Sequence, residues 1–397
     1  MKSLSSLFFF LESVMILTGI IIGAGVFVLP YVGYFSGLIS TIFWLILSFF
    51  ILTYLHLAFG EIILNTEKEH RLIGYADYYL GKKAKYLISL TTFFTFSFSL
   101  LIYLLLAAQF LNNLLEPSIS FPFYFLFFSL WLILNLITLF PSQEKVASLN
   151  FLFSFLILFI FFFIILFYYP YFQFQNLNFF PAKDSQSFYL LKIFLPYGVT
   201  FFALNGIAGV PELLKNFKKR NLPFKKTKKA IILGTFLPLI FYFSFILFVD
   251  GICGKNVSKE AISCLKEFLG YKIIFFGSFI GLLAVITSYI IFSLYLKNTF
   301  LKDFHFPELL SRVLIILGPL IFYLLNLKNI VSLVSFLGGL VGGMEGLIIL
   351  FIFKKIKEKN KEKRFYSLNF NRLIFLFLLI ILILGAFCQT FIVPLIN

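Results

Sequence analysis

Charge is scarce in this chain. Asp, Glu, Lys and Arg make up 13% of its 397 residues, against 61% hydrophobic residues. So little charge cannot cover a soluble domain of this size. Histidine is scarcer still, at three, which leaves no His-rich metal cluster. The three cysteines form no C-x-x-C pair, which argues against a metal or redox centre. No P-loop occurs, so ATP-driven pumping within this chain is not expected. The loops are short and hold no paired-carboxylate motif, so a membrane-embedded transferase would lack its catalytic groups. Acids are also few relative to bases, 17 against 33, for a net charge of +16. That excess would suit nucleic acid, but the placement of the bases points to membrane topology instead.

What is present is apolar runs near the ~20 residues of a membrane-crossing helix, not the ~10-residue alternating strands of a barrel. The runs fall at about 8–35, 37–64, 86–112, 121–140, 147–169, 188–216, 230–250, 272–296, 309–326, 330–353 and 373–395. The expected fold is an all-α polytopic membrane protein of about eleven spans in one domain, residues 1–397. The first run continues through "VFVLPYVGYF" with no small-residue cleavage site behind a short apolar core. It reads as a span that stays, not as a signal peptide. With the N-terminus cytoplasmic, the inside segments hold 26 of the 33 Lys and Arg, eight of them between Lys215 and Lys229 and eight between Lys354 and Arg372. The remaining seven are Lys183, Lys192, Lys255, Lys259, Lys266, Lys272 and Lys328. This is the positive-inside pattern, and it puts the C-terminus outside the cell (inner) membrane. The basic loop reads either as that topology signal or as a site for acidic lipid headgroups.

Two spans carry glycine in their interiors, where it costs ~1 kcal/mol relative to alanine in a helix. The first contains "TGIIIGAGVFVLPY", with Gly19, Gly23, Gly25 and then Pro30. The sixth contains "FFALNGIAGVPEL", with Asn205, Gly206, Gly209 and Pro211. Such glycines either let helices pack closely or mark a backbone that leaves its helix, which lipid tolerates only beside a cavity or inside protein. Pro211 and Glu212 look like the first turn of a restarted helix. Spans one and six each open a set of five, in opposite orientation. That gives a five-plus-five inverted repeat, about 8–170 and 188–353, with an additional helix at 373–395. Interrupted helices at matching positions of inverted halves point to a transport site at mid-membrane.

The polarity of the half-helices suggests the ligand. The restarts at Ala24 to Val26 and Ala208 to Val210 offer unpaired amides, which suit a carboxylate. The half-helices ending near Gly19 to Ile22, and near Leu204 and Asn205, offer carbonyls, which suit a cation or an ammonium. An amino acid zwitterion satisfies both.

The stretches "GIIIGAGVFVLPY", "FFALNGIAGVPEL" and "LLAVITSYI" resemble the first, sixth and eighth helices of the amino acid/auxin permease family, close to its bacterial aromatic amino acid permeases. The family belongs to the amino acid–polyamine–organocation superfamily. The resemblance implies a symporter of neutral or aromatic amino acids that works by alternating access, with no cofactor beyond a coupling sodium ion or proton. Amines or nucleobases are the alternative substrates on the same fold. It implies substrate contacts from Gly23, Ala24, Gly25, Phe202, Asn205, Gly206, Ala208 and Gly209, and from Tyr103 on helix three. In sodium-coupled relatives an ion sits between the break in helix one and helix eight; the matching positions are Gly19, Ile22, Ala284, Thr287 and Ser288. Thr287 and Ser288 otherwise bond their own helix carbonyls. The family often has a small residue after the serine, where this chain has Tyr289. Proton-coupled members can place a lysine on helix five, and here Lys145 lies only at its end, which tilts the reading towards sodium.

Ionisable residues within spans are functional candidates by default. Glu345, in "GGLVGGMEGLI", is the clearest, as a proton carrier or an aid to a cation site. His56 and Glu61 lie about 140° apart on one helix and share no face. His56 reads as a proton relay or as a satisfied interior histidine, and Glu61 as a proton carrier or a carboxylate bonded near the inner end. Two segments between spans have helical spacing. "HRLIGYADYYLGKKAKYL" reads as an amphipathic helix on the inner membrane surface. Residues 251–270 read as an outer helix with Ile262, Leu265, Phe268 and Leu269 on one face, and they hold Cys253 and Cys264, either free or paired.

Overall fold

The computed structural model describes residues 2–116, 119, 121–139, 143–181, 189–358 and 366–392. Of the bases counted for topology, Lys183, Lys359, Lys361, Lys363 and Arg364 lie outside the described residues. In order, the helices are α1 (Lys2–Ile21), α2 (Gly25–Ser36), α3 (Leu38–Leu64), α4 (Leu72–Leu80), α5 (Lys82–Leu115), α6 (Phe123–Leu139), α7 (Gln143–Tyr168) and α8 (Leu195–Leu204). They continue as α9 (Gly209–Lys219), α10 (Thr227–Cys253), α11 (Leu265–Leu269), α12 (Tyr271–Lys302), α13 (Glu308–Leu324), α14 (Ile330–Phe336), α15 (Gly343–Glu358) and α16 (Arg372–Phe387). Among the described residues, seven helical stretches are each long and apolar enough to cross a membrane, and the bent pair α1–α2 makes an eighth. Helices α6, α7 and α13 occupy the other three expected positions.

Both expected breaks are present. The first span bends by 56° between Ile21 and Gly25. The sixth is interrupted from Asn205 to Ala208 between α8 and α9. Glycine lets the broken spans meet: a Cβ on Gly25 would sit 2.5 Å from Ala203 Cα, so any side chain there would push the two breaks apart. Span ten has an interruption that the sequence reading did not anticipate. A π-helical segment, Leu337–Gly342, separates α14 from α15. Its Gly338 lies so close to α8 that a Cβ would collide with the Gly198 carbonyl oxygen. π segments of this kind often mark functional sites.

The two connecting segments differ from expectation. The segment after Arg71 forms α4, whose apolar face turns into the bundle. Leu72, Ile73, Tyr75, Ala76 and Tyr79 are buried, against α5 and α15. It stops at Gly81, whose φ of +88° favours glycine and starts α5 in a new direction. Residues 251–270 do not form one helix: α10 ends at Cys253, and beyond a 3-10 turn only the five-residue α11 follows, because Gly254 and Ala261 take positive φ and interrupt the spacing. Ile262 and Leu265 are buried as expected, whereas Phe268 is exposed.

Ion pairs gather at the lysine-rich end: Arg71–Glu212, Lys85–Asp77, Arg220–Glu12 and Lys357–Glu61. Lys266–Glu116 lies at the other end, beside a disulfide between Cys253 and Cys264. The disulfide ties the end of α10 to the start of α11. Peptide mapping of the non-reduced protein is expected to recover Cys253 and Cys264 as one cross-linked pair and Cys388 as a free thiol. Recovery of both peptides separately, without reductant, would refute the pairing.

Candidate functional site

A cavity of about 50 Å³ lies where the two breaks meet. Of the expected substrate contacts, Gly23, Ala24, Gly25, Tyr103, Phe202, Asn205 and Ala208 line it. Gly206 and Gly209 do not. They face α1, where a Cβ on either would press on Leu17 and on Ile21 or Ile20, so these two glycines serve packing. Phe96, Phe292 and Tyr295 supply aromatic wall, with Phe96 stacked on Tyr295 at 4.9 Å and Tyr103 edge-on to Phe292 at 5.4 Å.

The backbone groups freed by the breaks find specific partners. Gly206 N–H donates to His56 Nε2 at 3.0 Å. That bond requires the Nε2 lone pair, so the proton of the neutral ring sits on Nδ1 and donates to Thr235 Oγ1 at 3.1 Å. Thr235 passes its own proton to the Ile231 carbonyl at 3.0 Å. His56 therefore holds the sixth-span break in place as a neutral imidazole, the satisfied interior histidine of the two sequence readings. Tyr242 on α10 serves both breaks at once. Its hydroxyl faces the Ile21 carbonyl at 2.7 Å and the Ala203 carbonyl at 3.0 Å, and its oxygen accepts from Gly23 N–H. Asn205 Oδ1 accepts from Ile207 N–H at 3.1 Å, which closes the turn into α9. No side chain caps the start of α2, where Ala24 and Gly25 border the cavity.

Glu345 reaches the cavity from the first turn of α15, directly after the π segment. It is 6% exposed. Thr95 Oγ1 donates to it at 3.1 Å, and the Asn205 side chain bonds it. Glu61 lies elsewhere. It pairs with Lys357 and accepts from Leu368 N–H at 2.8 Å, joining α3 to the chain that enters α16.

The positions expected to hold sodium lie in different surroundings. Thr287 Oγ1 donates into its own helix, to Leu283 O at 2.9 Å and Ala284 O at 3.0 Å. Ser288 Oγ faces Gly23 beside Tyr103, with a Cβ on Gly23 falling 3.2 Å and 3.3 Å from the two hydroxyls. Ile22 and Ala284 line a second cavity of about 40 Å³, whose wall is apolar and includes Phe27, Phe161 and Phe245. Gly19 lies in the last turn of α1. Tyr289, where the resemblance suggests a small residue, reaches span four and donates to Asn135 Oδ1 at 3.1 Å.

Toward the lysine-rich end the cavity stops at Arg71, which also borders a vestibule of about 350 Å³ lined by His70, Glu212, Lys215 and Lys302. Arg71 is 9% exposed. It donates to Glu212 Oε1 at 2.7 Å, lies 4.6 Å over the Tyr295 ring, and its N–H points at Asp303 Oδ1 at 3.5 Å. Burial opposes the guanidinium's charge, but Glu212 and Asp303 outweigh it and the pKa stays raised. Burial likewise raises the Asp303 carboxyl, against the donors Arg71 N–H and Gly74 N–H. Arg71 thus links the start of α4 to α9 through its side chain and to the end of α12 through its backbone N–H, between the cavity and the vestibule.

Two broken spans around a small central cavity, with an ion-paired barrier on one side, define a membrane transporter and not an enzyme. The chain belongs to the tryptophan/tyrosine permease family, whose family model matches residues 8–389. Among solved structures it is similar to Mhp1, a nucleobase-cation-symport-1 family transporter in a closed conformation with bromovinylhydantoin bound. That likeness has a TM-score of 0.63 at 13% identity, and covers 95% of this chain and 89% of that one. No curated protein sequence matches significantly. The shared fold is the five-plus-five arrangement with broken first and sixth helices.

Sequence reasoning missed Tyr242, Thr95 and Arg71, and it did not identify Gly206 as the partner of His56. Nothing distinguishes Tyr242 from the other tyrosines in sequence, but a lone arginine before a short helix was a visible cue. Two outcomes follow from the geometry. Replacing His56 by Phe leaves Gly206 N–H without its acceptor and is expected to cost about 1–3 kcal/mol, read as a lower melting temperature in detergent. In a Cys388→Ser background, Arg71→Gln is expected to speed labelling of a cysteine at Thr95 by an impermeant thiol reagent added at the lysine-rich face. An unchanged rate would remove Arg71 from the barrier.

Proposed function

We propose that this chain is a cation-coupled symporter of amino acids, neutral or aromatic, within the amino acid/auxin permease family. It works by alternating access between its two inverted repeats, with the lysine-rich end cytoplasmic in the cell membrane. The observation that carries this reading is the meeting of both breaks at one cavity, with uncapped helix-start amides on one side and aromatic wall on the other. Amides at a helix start suit a carboxylate. Phe96, Phe202, Phe292 and Tyr295 suit an apolar or aromatic side chain. Membership of a tryptophan/tyrosine permease family supports the same substrate class. The coupling ion is sodium or a proton, and transport needs no other cofactor.

The test is a thermal-shift panel of the twenty amino acids on the detergent-purified protein, in sodium or in choline. A ligand that binds the folded state raises its melting temperature, by an amount set by ligand concentration over Kd. Stabilisation by aromatic amino acids is expected, and its dependence on sodium identifies the ion. In liposomes, the same amino acids should accumulate only under an inward ion gradient; accumulation indifferent to every gradient would sink the coupling claim.

A further inference from the structure

Among the described residues, Glu345 is the one acidic side chain bordering the central cavity and Arg71 the one basic side chain. Their situations differ. The Arg71 charge is met by Glu212 at 2.7 Å, on the vestibule side. Glu345 meets only uncharged donors, Thr95 and Asn205, and no lysine or arginine among the described residues pairs with it. Thr95 divides its single proton between Glu345 and the Thr91 carbonyl at 2.9 Å, so even that donor is shared. A carboxylate accepts at about four lone-pair positions, so these two donors leave it with spare capacity. A buried carboxylate without a counter-charge is costly, and an arriving cation relieves that cost in a medium of low dielectric.

The usual alternative for an ammonium in a site of broken helices is a free carbonyl. Here one carbonyl from each break, Ile21 and Ala203, already faces the Tyr242 hydroxyl. The amides at the start of α2, by contrast, have no side-chain cap. We infer that Glu345 receives the ammonium of the substrate while the α2 amides receive its carboxylate, so that the cavity selects α-amino acids as zwitterions. The inference rests on the amino acid transport reading, and it assigns to span ten the charged partner of the ammonium. Asn205 then has two tasks. Its oxygen closes the turn of the sixth-span break, and its amide orients Glu345.

The test compares L-tryptophan and L-tyrosine with their α-hydroxy analogues, indole-3-lactate and 4-hydroxyphenyllactate, by titration into the full-length protein in lipid nanodiscs. These pairs differ in the ammonium alone. The wild type is expected to prefer the amino acids by about 10- to 100-fold, the scale of one hydrogen bond between charged groups. Glu345→Gln keeps the side-chain shape, and is expected to reduce the preference to within about threefold. A melting temperature in detergent close to that of the wild type reports that the variant is folded. A Glu345→Gln protein that keeps the full preference overturns the inference, and if it has also lost only pH-gradient-driven uptake, Glu345 is a proton carrier. Equal affinity of the wild type for amino and hydroxy acids overturns it without any variant. If none of the twenty amino acids binds the wild type, the transport reading fails as well, and that result is distinct from the others.

Discussion

A backbone that leaves its helix inside a membrane must find partners for the groups it frees, because lipid offers none and each orphan costs several kcal/mol. The rest of this structure depends on that constraint. The breaks in spans one and six are held by three side chains from elsewhere in the bundle or from the break itself. His56 accepts from Gly206, Tyr242 serves Ile21 and Ala203, and Asn205 closes its own turn. Because Tyr242 has one proton for two carbonyls, and the carbonyls belong to different spans, the two breaks are tied through a single side chain. Gly25 makes the tie possible by letting the Ala203 backbone approach.

This explains why the site was partly legible in the sequence. Mid-span glycines beside an asparagine and a proline announce a break, and Gly23, Ala24, Gly25 and Asn205 do border the cavity. The same signal could not separate glycines that open the backbone from glycines that admit a neighbour, so Gly206 and Gly209 were read as contacts although they face Leu17. The spans were readable because twenty apolar residues in a row have few other uses. The segments between them were not. Helical spacing around Tyr75 and Tyr79 looks the same whether the apolar face meets lipid headgroups or, as here, the side of α5. In residues 251–270 the positive φ at Ala261 broke a pattern that spacing alone had made continuous.

Partnership also separates the ionisable residues within the spans. Glu61 is matched by Lys357, and His56 is fixed as a neutral ring by one donor and one acceptor. Glu345 alone of the three borders the cavity, carried there by a π segment whose Gly338 and Gly342 sit against α8. Motif reading had found the residue and its glycines but not the helical irregularity that aims it. A π segment depends on hydrogen-bond register and leaves no clear mark in composition.

Arg71 belongs to the wall of the cavity and to the wall of the vestibule. Its pair with Glu212 therefore stands on the border of both spaces, and any change in the pair alters both walls at once. Glu212 rides on the first turn of α9, so the helix restarted by the sixth-span break carries the other half of the bolt. A shift of the break is thereby carried, three residues further along the same helix, to the ion pair that borders both spaces.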